Sequence, residues 1–247
     1  MLGGRLKSYR SMYEKFVEVA KEYLFFRPMT IGEKDILLSG AVSKYPTSEP
    51  RFSPDMEHLT CFAGGMLAIA GKIFKRPGDF EDGRRLADGC VWAYSNTVTG
   101  MMPERLMAVP CPNRTACTWD EKAWHAAIDP NADEENIREQ INRLHLSPGF
   151  SNIQDKRYLL RPEAIESVFI LWRITNDQYW PDNGWKMFKT IQAYTTTDLA
   201  NSAIKDVTLP APKKADEMES FWLSETLKYF YLLYSEPKVI SLDEYVL

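Results

Sequence analysis

Apolar residues recur three and four positions apart over much of the chain, and that spacing predicts helices. Over residues 6–26, Tyr9, Met12, Tyr13, Phe16, Val17, Ala20, Tyr23 and Leu24 follow it with Lys, Glu and Arg between, an amphipathic helix ended by Arg27-Pro28. Residues 35–40 read as a short extended piece leading into a loop rich in Pro, Ser and Thr. Residues 55–74 begin as a loop and become a helix from about Ala63, where Gly64, Gly65 and Gly71 would let neighbouring backbones come close. Residues 79–96 form a second amphipathic helix with Phe80, Leu86, Cys90, Val91 and Tyr94 inward, closed by Thr99-Gly100. Residues 101–112 look extended, 118–128 a short helix and 132–146 weakly helical.

The stretch LLRPEAIESVFILWRIT, residues 159–175, organises the second half. Pro162 fixes a backbone angle suited to a first helical turn, and Ile165, Val168, Phe169 and Trp172 then share one face. Residues 185–195 are its expected antiparallel partner across a short loop. Residues 202–208 read as another extended piece, 218–234 as a last strong helix, and the tail VISLDEYVL as a strand. Long helices joined by short loops, with brief extended pieces between them, indicate an all-α domain with no linker to divide it.

Composition adjusts this picture. A net charge of -4 with interspersed signs leaves no basic stripe for nucleic acid and no polybasic patch for a membrane surface. The heavy load of Trp, Tyr and Phe suits deep packing and also stacking on sugar rings. The longest apolar stretch, residues 61–70, is too short and glycine-rich to span a bilayer. The N-terminus MLGGRLKSYR lacks an apolar signal core, which read literally keeps the chain in the cytosol. Four cysteines and a glycosylation sequon, Asn113-Arg114-Thr115, point the other way, although an even cysteine count also fits buried free thiols.

Candidate chemistry gathers at the mouth of the 159–175 helix, where Arg161, Glu163 and Glu166 border an apolar segment. Carboxylates in a first helical turn also complement the helix dipole, so the position alone does not make a site. His58, Glu104, Glu219 and Glu225 repeat the pattern, each beside apolar residues, and together these side chains make a candidate acidic cavity. Each has a plain alternative: a core histidine, a solvated loop charge, a cap, or a surface pair of Glu225 with Lys228. Carboxylates with aromatics and an arginine suit glycoside hydrolysis, or oxygen ligation of a hard cation such as calcium. The cysteine spacing completes no zinc pattern, and neither a phosphate-binding glycine loop nor a GxSxG elbow occurs.

Several long motifs resemble the class I α-1,2-mannosidases of glycoside hydrolase family 47. They are HLTCFAGG (58–65), MPE (102–104), LLRPEAIES (159–167), SAIKDVT (202–208), MESFWLSETLKYFYLLYS (218–235) and ISLDEYV after it. The segment around Cys111 to Trp119 and the wording YLFFRPMT look most like fungal members. The resemblance implies an (α/α)7 barrel around one calcium ion, here an incomplete barrel with short β-hairpins and long loops. It also implies removal of α-1,2-linked mannose from high-mannose N-glycans with inversion. By the resemblance Glu163 is the general base. His58, Arg161, Glu166, Phe221 and Glu225 line the sugar-binding floor, and Glu104 is an active-site glutamate sometimes assigned as proton donor. Inversion requires water between base and sugar, with the two carboxyl groups roughly 6.5 to 9.5 Å apart. Cys61 and Cys90 fall where the family disulfide lies, a bridge contributing on the order of 3 kcal/mol, and Cys111 and Cys117 form a second expected bridge. Both place the full-length protein in the secretory pathway, in the endoplasmic reticulum or Golgi lumen or secreted.

The departures carry expectations too. The glutamate assigned as general acid, the catalytic aspartate of a DSxYEY helix and the signal or membrane anchor belong upstream of this chain. The calcium-binding threonine of an NTEAHP hairpin would follow Leu247, leaving no direct metal ligand here. The chain then reads as the carboxy-terminal part of one catalytic barrel, truncated at both ends and inactive alone, with the membrane reached only through a segment absent from it. The alternative is a non-catalytic module that binds high-mannose glycans in glycoprotein quality control.

Overall fold

The computed structural model describes residues 6–245. Helix α1 (Lys7–Tyr23) turns Val17 and Ala20 inward onto Phe25, Leu37, Leu67 and Leu86. It is clamped by Asp79, which is only 1% exposed. That carboxylate accepts hydrogen bonds from Tyr13 Oη (2.8 Å), Lys21 Nζ (2.6 Å) and Arg76 Nε (2.6 Å), and these donors offset the cost of burying its charge. Two small antiparallel ladders follow, β1 (Phe25–Phe26) with β2 (Leu38–Ser39) and β3 (Ala41–Ser43) with β4 (Arg51–Ser53).

Strand β5 (Asp55–Glu57) leads through a single tight helical turn, His58–Cys61, into α2 (Phe62–Ile73). Helix α3 (Pro77–Ser95) packs back on α2. The glycines make this close approach possible: a Cβ at Gly64 would lie 2.9 Å from the Ala87 backbone nitrogen. After β6 (Arg105–Ala108), helices α4 (Glu121–Ile128) and α5 (Glu134–Leu144) are started by Asp120 and Asp133, whose side chains accept from backbone N–H groups one turn on. Strand β7 (Phe150–Asp155) completes a three-stranded antiparallel sheet in the order β5-β6-β7.

Helix α6 (Glu163–Thr175) has Pro162 at its N-cap, as the proline predicts. It packs on α2, where a Cβ on Gly65 would lie 2.7 Å from Ile170 Cδ1 and 3.2 Å from Ser167 Oγ. The Gly65 N–H donates to Ser167 Oγ (2.8 Å), and that hydroxyl donates to the Cys61 carbonyl (2.6 Å). Helix α7 (Tyr179–Thr195) starts six residues earlier than predicted, because Pro181 is accommodated in its first turn, where a missing N–H costs little. A π-helical turn, Trp222–Thr226, runs into α8 (Leu227–Leu233), and both α7 and α8 pack on α6.

Two expectations change. Residues 55–57 are a strand rather than loop, and within 35–40 only Leu38 and Ser39 join a ladder; strand β7 has no counterpart in the sequence reading. The tail expected as a strand forms bends and turns through Tyr245 and joins no described ladder, and Val246 and Leu247 lie outside the described residues. Disulfides Cys61–Cys90 and Cys111–Cys117 are formed. The described part is an α-helical assembly whose helices do not close into a ring, an incomplete barrel.

Candidate active site

The small sheet assembles the site. Strand β5 ends at Glu57, β6 begins at Arg105 and β7 ends at Asp155, and the register pairs Glu57 with Arg105 and Arg105 with Asp155. Three connections therefore leave from one end of the sheet, carrying His58, Glu104 and the segment to Arg161. The His58 N–H donates to the Glu104 carbonyl (2.9 Å), and the Glu104 N–H donates to the Arg157 carbonyl (2.8 Å). Leu160 then turns the chain with φ +62°, a left-handed conformation that costs a side-chain-bearing residue roughly 1–2 kcal/mol. Its surroundings hold it: Leu160 is fully buried, and its carbonyl accepts from Thr226 Oγ1 at 2.6 Å. That contact also ties the π-helical turn to the mouth of α6, in keeping with where such turns and such strain are found.

His58 is completely buried, and Glu163 is 7% exposed. His58 Nδ1 lies 2.9 Å from Glu163 Oε2, and its Nε2 lies 2.8 Å from the Tyr94 hydroxyl. Arg161 Nε donates to both oxygens of Glu104 (2.8 and 2.7 Å), while another guanidinium nitrogen stands 3.7 Å from Glu163 Oε1. The guanidinium also covers the Phe221 ring at 5.8 Å from its centroid, within cation–π range. Burial pushes the Glu163 carboxyl up, but His58 and then Arg161 outweigh it and hold the group below the usual glutamate range. Arg161 is raised in the same way: burial works against its charge, and Glu104 and Glu163 prevail.

Glu163 and Glu166 border a cleft of about 720 Å³ with Leu59, Phe62, Glu225 and Tyr229. Glu166 accepts from the Tyr229 hydroxyl at 2.7 Å. Its carboxyl is pushed up, first by burial and then by the charges of Glu225 and Glu163, against the Tyr229 hydrogen bond. Neighbouring carboxyls on one helix end are thus driven in opposite directions, the condition under which one serves as base while the other retains its proton more readily.

Comparison with known proteins decides the family. The family model described as glycosyl hydrolase family 47 matches residues 1–247. The chain belongs to glycosyl hydrolase family 47. It is 34% identical over 215 residues to the mannosyl-oligosaccharide 1,2-alpha-mannosidase MNS3 of Arabidopsis thaliana, covering 81% of this chain and 31% of that protein. It is 32% identical over 233 residues to the mannosyl-oligosaccharide alpha-1,2-mannosidase of Coccidioides posadasii, covering 94% and 39%. Among solved structures, the alpha-1,2-mannosidase from Trichoderma reesei superposes with a TM-score of 0.72 at 26% identity, covering 92% of this chain and 42% of that one. The chain thus spans about a third to two fifths of the length of these relatives.

Within this family 47 chain, the candidate residues His58, Glu104, Arg161, Glu163, Glu166, Phe221 and Glu225 converge around the sheet end and the cleft. Glu219 is exposed to solvent and makes no hydrogen bond or ion pair with them, although its charge helps to raise Arg161. The suggested Glu225–Lys228 surface pair does not form; the Lys228 ammonium lies over the Tyr229 ring at 4.6 Å. Reading the sequence missed Tyr94, Tyr229 and Thr226 as site residues. The signal was there for the last two, which follow Glu225 directly in the SETLKY run, but helical spacing reads them as core.

Proposed function

We propose that this chain supplies the base side of an α-1,2-mannosidase active site acting on high-mannose N-glycans with inversion. The observation that carries this reading is the buried Glu163 carboxyl, held ionised by His58 and Arg161 at the edge of an open cleft. An ionised carboxylate at a cleft can take the proton of a water attacking the sugar. Phe221 offers an aromatic face and Glu166 and Glu225 offer acceptors for sugar hydroxyls. Glu104 serves chiefly to fix Arg161, since both its oxygens are engaged by that guanidinium. The relatives' names favour hydrolysis over a binding-only module.

Calcium is the ion the family resemblance implies. Among the described residues no three His, Cys, Asp or Glu side chains gather as metal ligands. Glu163 and Glu166 are each already engaged, by His58 and Tyr229, so these carboxylates do not by themselves make an ion site, and the role of Glu163 as base does not draw on the ion. The secretory pathway suits both disulfides, and relatives include the endoplasmic reticulum enzyme of Mus musculus. Asn113 is the glycan acceptor in this reading: it is exposed inside the Cys111–Cys117 loop. No described helix is long and apolar enough to cross a membrane.

The test is to let this chain replace the matching part of the Trichoderma reesei enzyme and to follow mannose release from a high-mannose glycan by NMR. The expected result is β-mannose as the first product, with a loss of about a thousandfold or more in Glu163→Gln. Full activity in Glu163→Gln, or α-mannose as first product, overturns the reading.

A further inference from the structure

The contact between His58 and Glu163 has a third member. The imidazole is fully buried, and the groups facing it come from several elements. Glu163 approaches from α6 and Tyr94 from α3, and the Tyr158 ring lies 6.3 Å away before Arg161. Arg161 and Glu104 stand behind Glu163. An ionised Glu163 only accepts hydrogen bonds, so Nδ1 must carry a proton. Nε2 then needs a donor if the ring is neutral and an acceptor if it is an imidazolium. A hydroxyl meets either need by rotating. Burial, the Tyr158 phenol and the Glu163 and Glu104 carboxylates push the Tyr94 phenol well above its usual value, so it remains a hydroxyl.

We propose that Tyr94 is a positioning residue for Glu163: its hydroxyl on His58 Nε2 fixes the imidazole with Nδ1–H aimed at Glu163 Oε2. The catalytic meaning of this assignment rests on Glu163 being the base. Without the Tyr94 hydroxyl the carboxylate still keeps the proton on Nδ1, but Nε2 loses its partner and the ring is held from the Glu163 side alone. The Cys61–Cys90 disulfide reinforces the arrangement, joining the turn that carries His58 to the helix that carries Tyr94 with 6.0 Å between Cα atoms.

Tyr158 provides an internal control. It is as deeply buried and also beside the imidazole, yet its hydroxyl makes no hydrogen bond to either imidazole nitrogen and acts instead on the Tyr94 phenol. The experiment is long-range ¹H–¹⁵N NMR on the full chain labelled at its 3 histidines, with His58 assigned by its loss in His58→Gln. The wild type should show a pyrrole-type Nδ1 with a slowly exchanging proton. Tyr94→Phe should leave the proton on Nδ1, shift its resonance and speed its exchange by about tenfold, the equivalent of one neutral hydrogen bond. Tyr158→Phe, which leaves the Tyr94 hydroxyl on Nε2, should change exchange far less.

An unchanged Nδ1–H signal in Tyr94→Phe overturns the proposal, as does an equal change in Tyr158→Phe, which would mark a packing effect. Should Tyr94→Phe not fold, 3-fluorotyrosine at position 94 keeps the shape and makes the hydroxyl more acidic; the Nδ1–H resonance moves if the two are coupled and stays if they are not. Hydrolysis plays no part in this readout, so its outcome is separate from that of the base assignment, which mannose release decides.

Discussion

Around Glu163, the side chains of His58, Glu104, Arg161 and Glu166 each have a partner, whereas along the outer face of α1 and beside α7 and α8 large apolar side chains stay exposed. Met12 is 65% exposed on α1 and Tyr231 68% exposed on α8, and a groove of about 500 Å³ runs between Trp185, Phe188, Phe230 and Tyr234. His58, by contrast, is 0% exposed with both ring nitrogens engaged. The difference lies in where the partners come from. The cleft and the groups beside it are supplied by the end of the small sheet, by α2, α3 and α6, and by the π-helical turn leading into α8, all packed together in this chain. Covering the outer helix faces of a barrel depends on the next helices around it, and this chain matches 42% of the Trichoderma reesei chain.

The contrast can be broken from either side. The largest effect is expected from His58→Ala, which strands a buried carboxylate beside Arg161: chemical denaturation should show a loss of about 3–5 kcal/mol. Cys90→Ser, releasing the turn that carries His58, should cost about 3 kcal/mol in the same assay. Gly65→Ala forces a methyl against Ile170 and Ser167 and should cost about 1–3 kcal/mol, through overpacking between α2 and α6. At the open edge the expectation reverses. Met12→Lys with Phe16→Glu should change stability by less than about 0.5 kcal/mol per site while reducing self-association in sedimentation.

The smallest effect concerns Glu166. Its folded-state value is raised, so its stabilising contribution is present at low pH, where it is protonated, and is lost as pH rises through that value. Glu166→Gln, which can still accept from Tyr229, should therefore be neutral to slightly stabilising at pH 7. The difference from wild type should fade below the ordinary glutamate value of about 4.3. A marked loss at pH 7 would show that the carboxylate itself is needed there.

The helices were legible from their apolar spacing, and Ile165, Val168 and Phe169 on α6 are buried where it puts them; on α1 only Val17 and Ala20 are buried, while Tyr9, Met12, Phe16 and Tyr23 of the same pattern are exposed. The sheet that brings His58 to Glu104 was not. Its strands run three to six residues, and register shifts fall between Arg105 and Leu106 and between Met107 and Ala108, so alternation never lasts long enough to read. The motifs located Glu163, Arg161 and Glu104, yet nothing local to them announces that Arg161 would bind Glu104 from 57 positions away. Tyr94 escaped for a related reason, since one tyrosine on the inward face of α3 looks like core until its hydroxyl is placed on His58.

The contacts of Glu163 with His58 and Arg161 imply a carboxyl held ionised by partners from within this chain. The most direct measurement is a ¹³C NMR titration of the Glu163 side-chain carboxyl in the isolated protein, assigned by its loss in Glu163→Gln. The expected midpoint lies below the ordinary glutamate value of about 4.3, together with stability that is lost as pH falls through that midpoint. A midpoint at or above the ordinary value would contradict it.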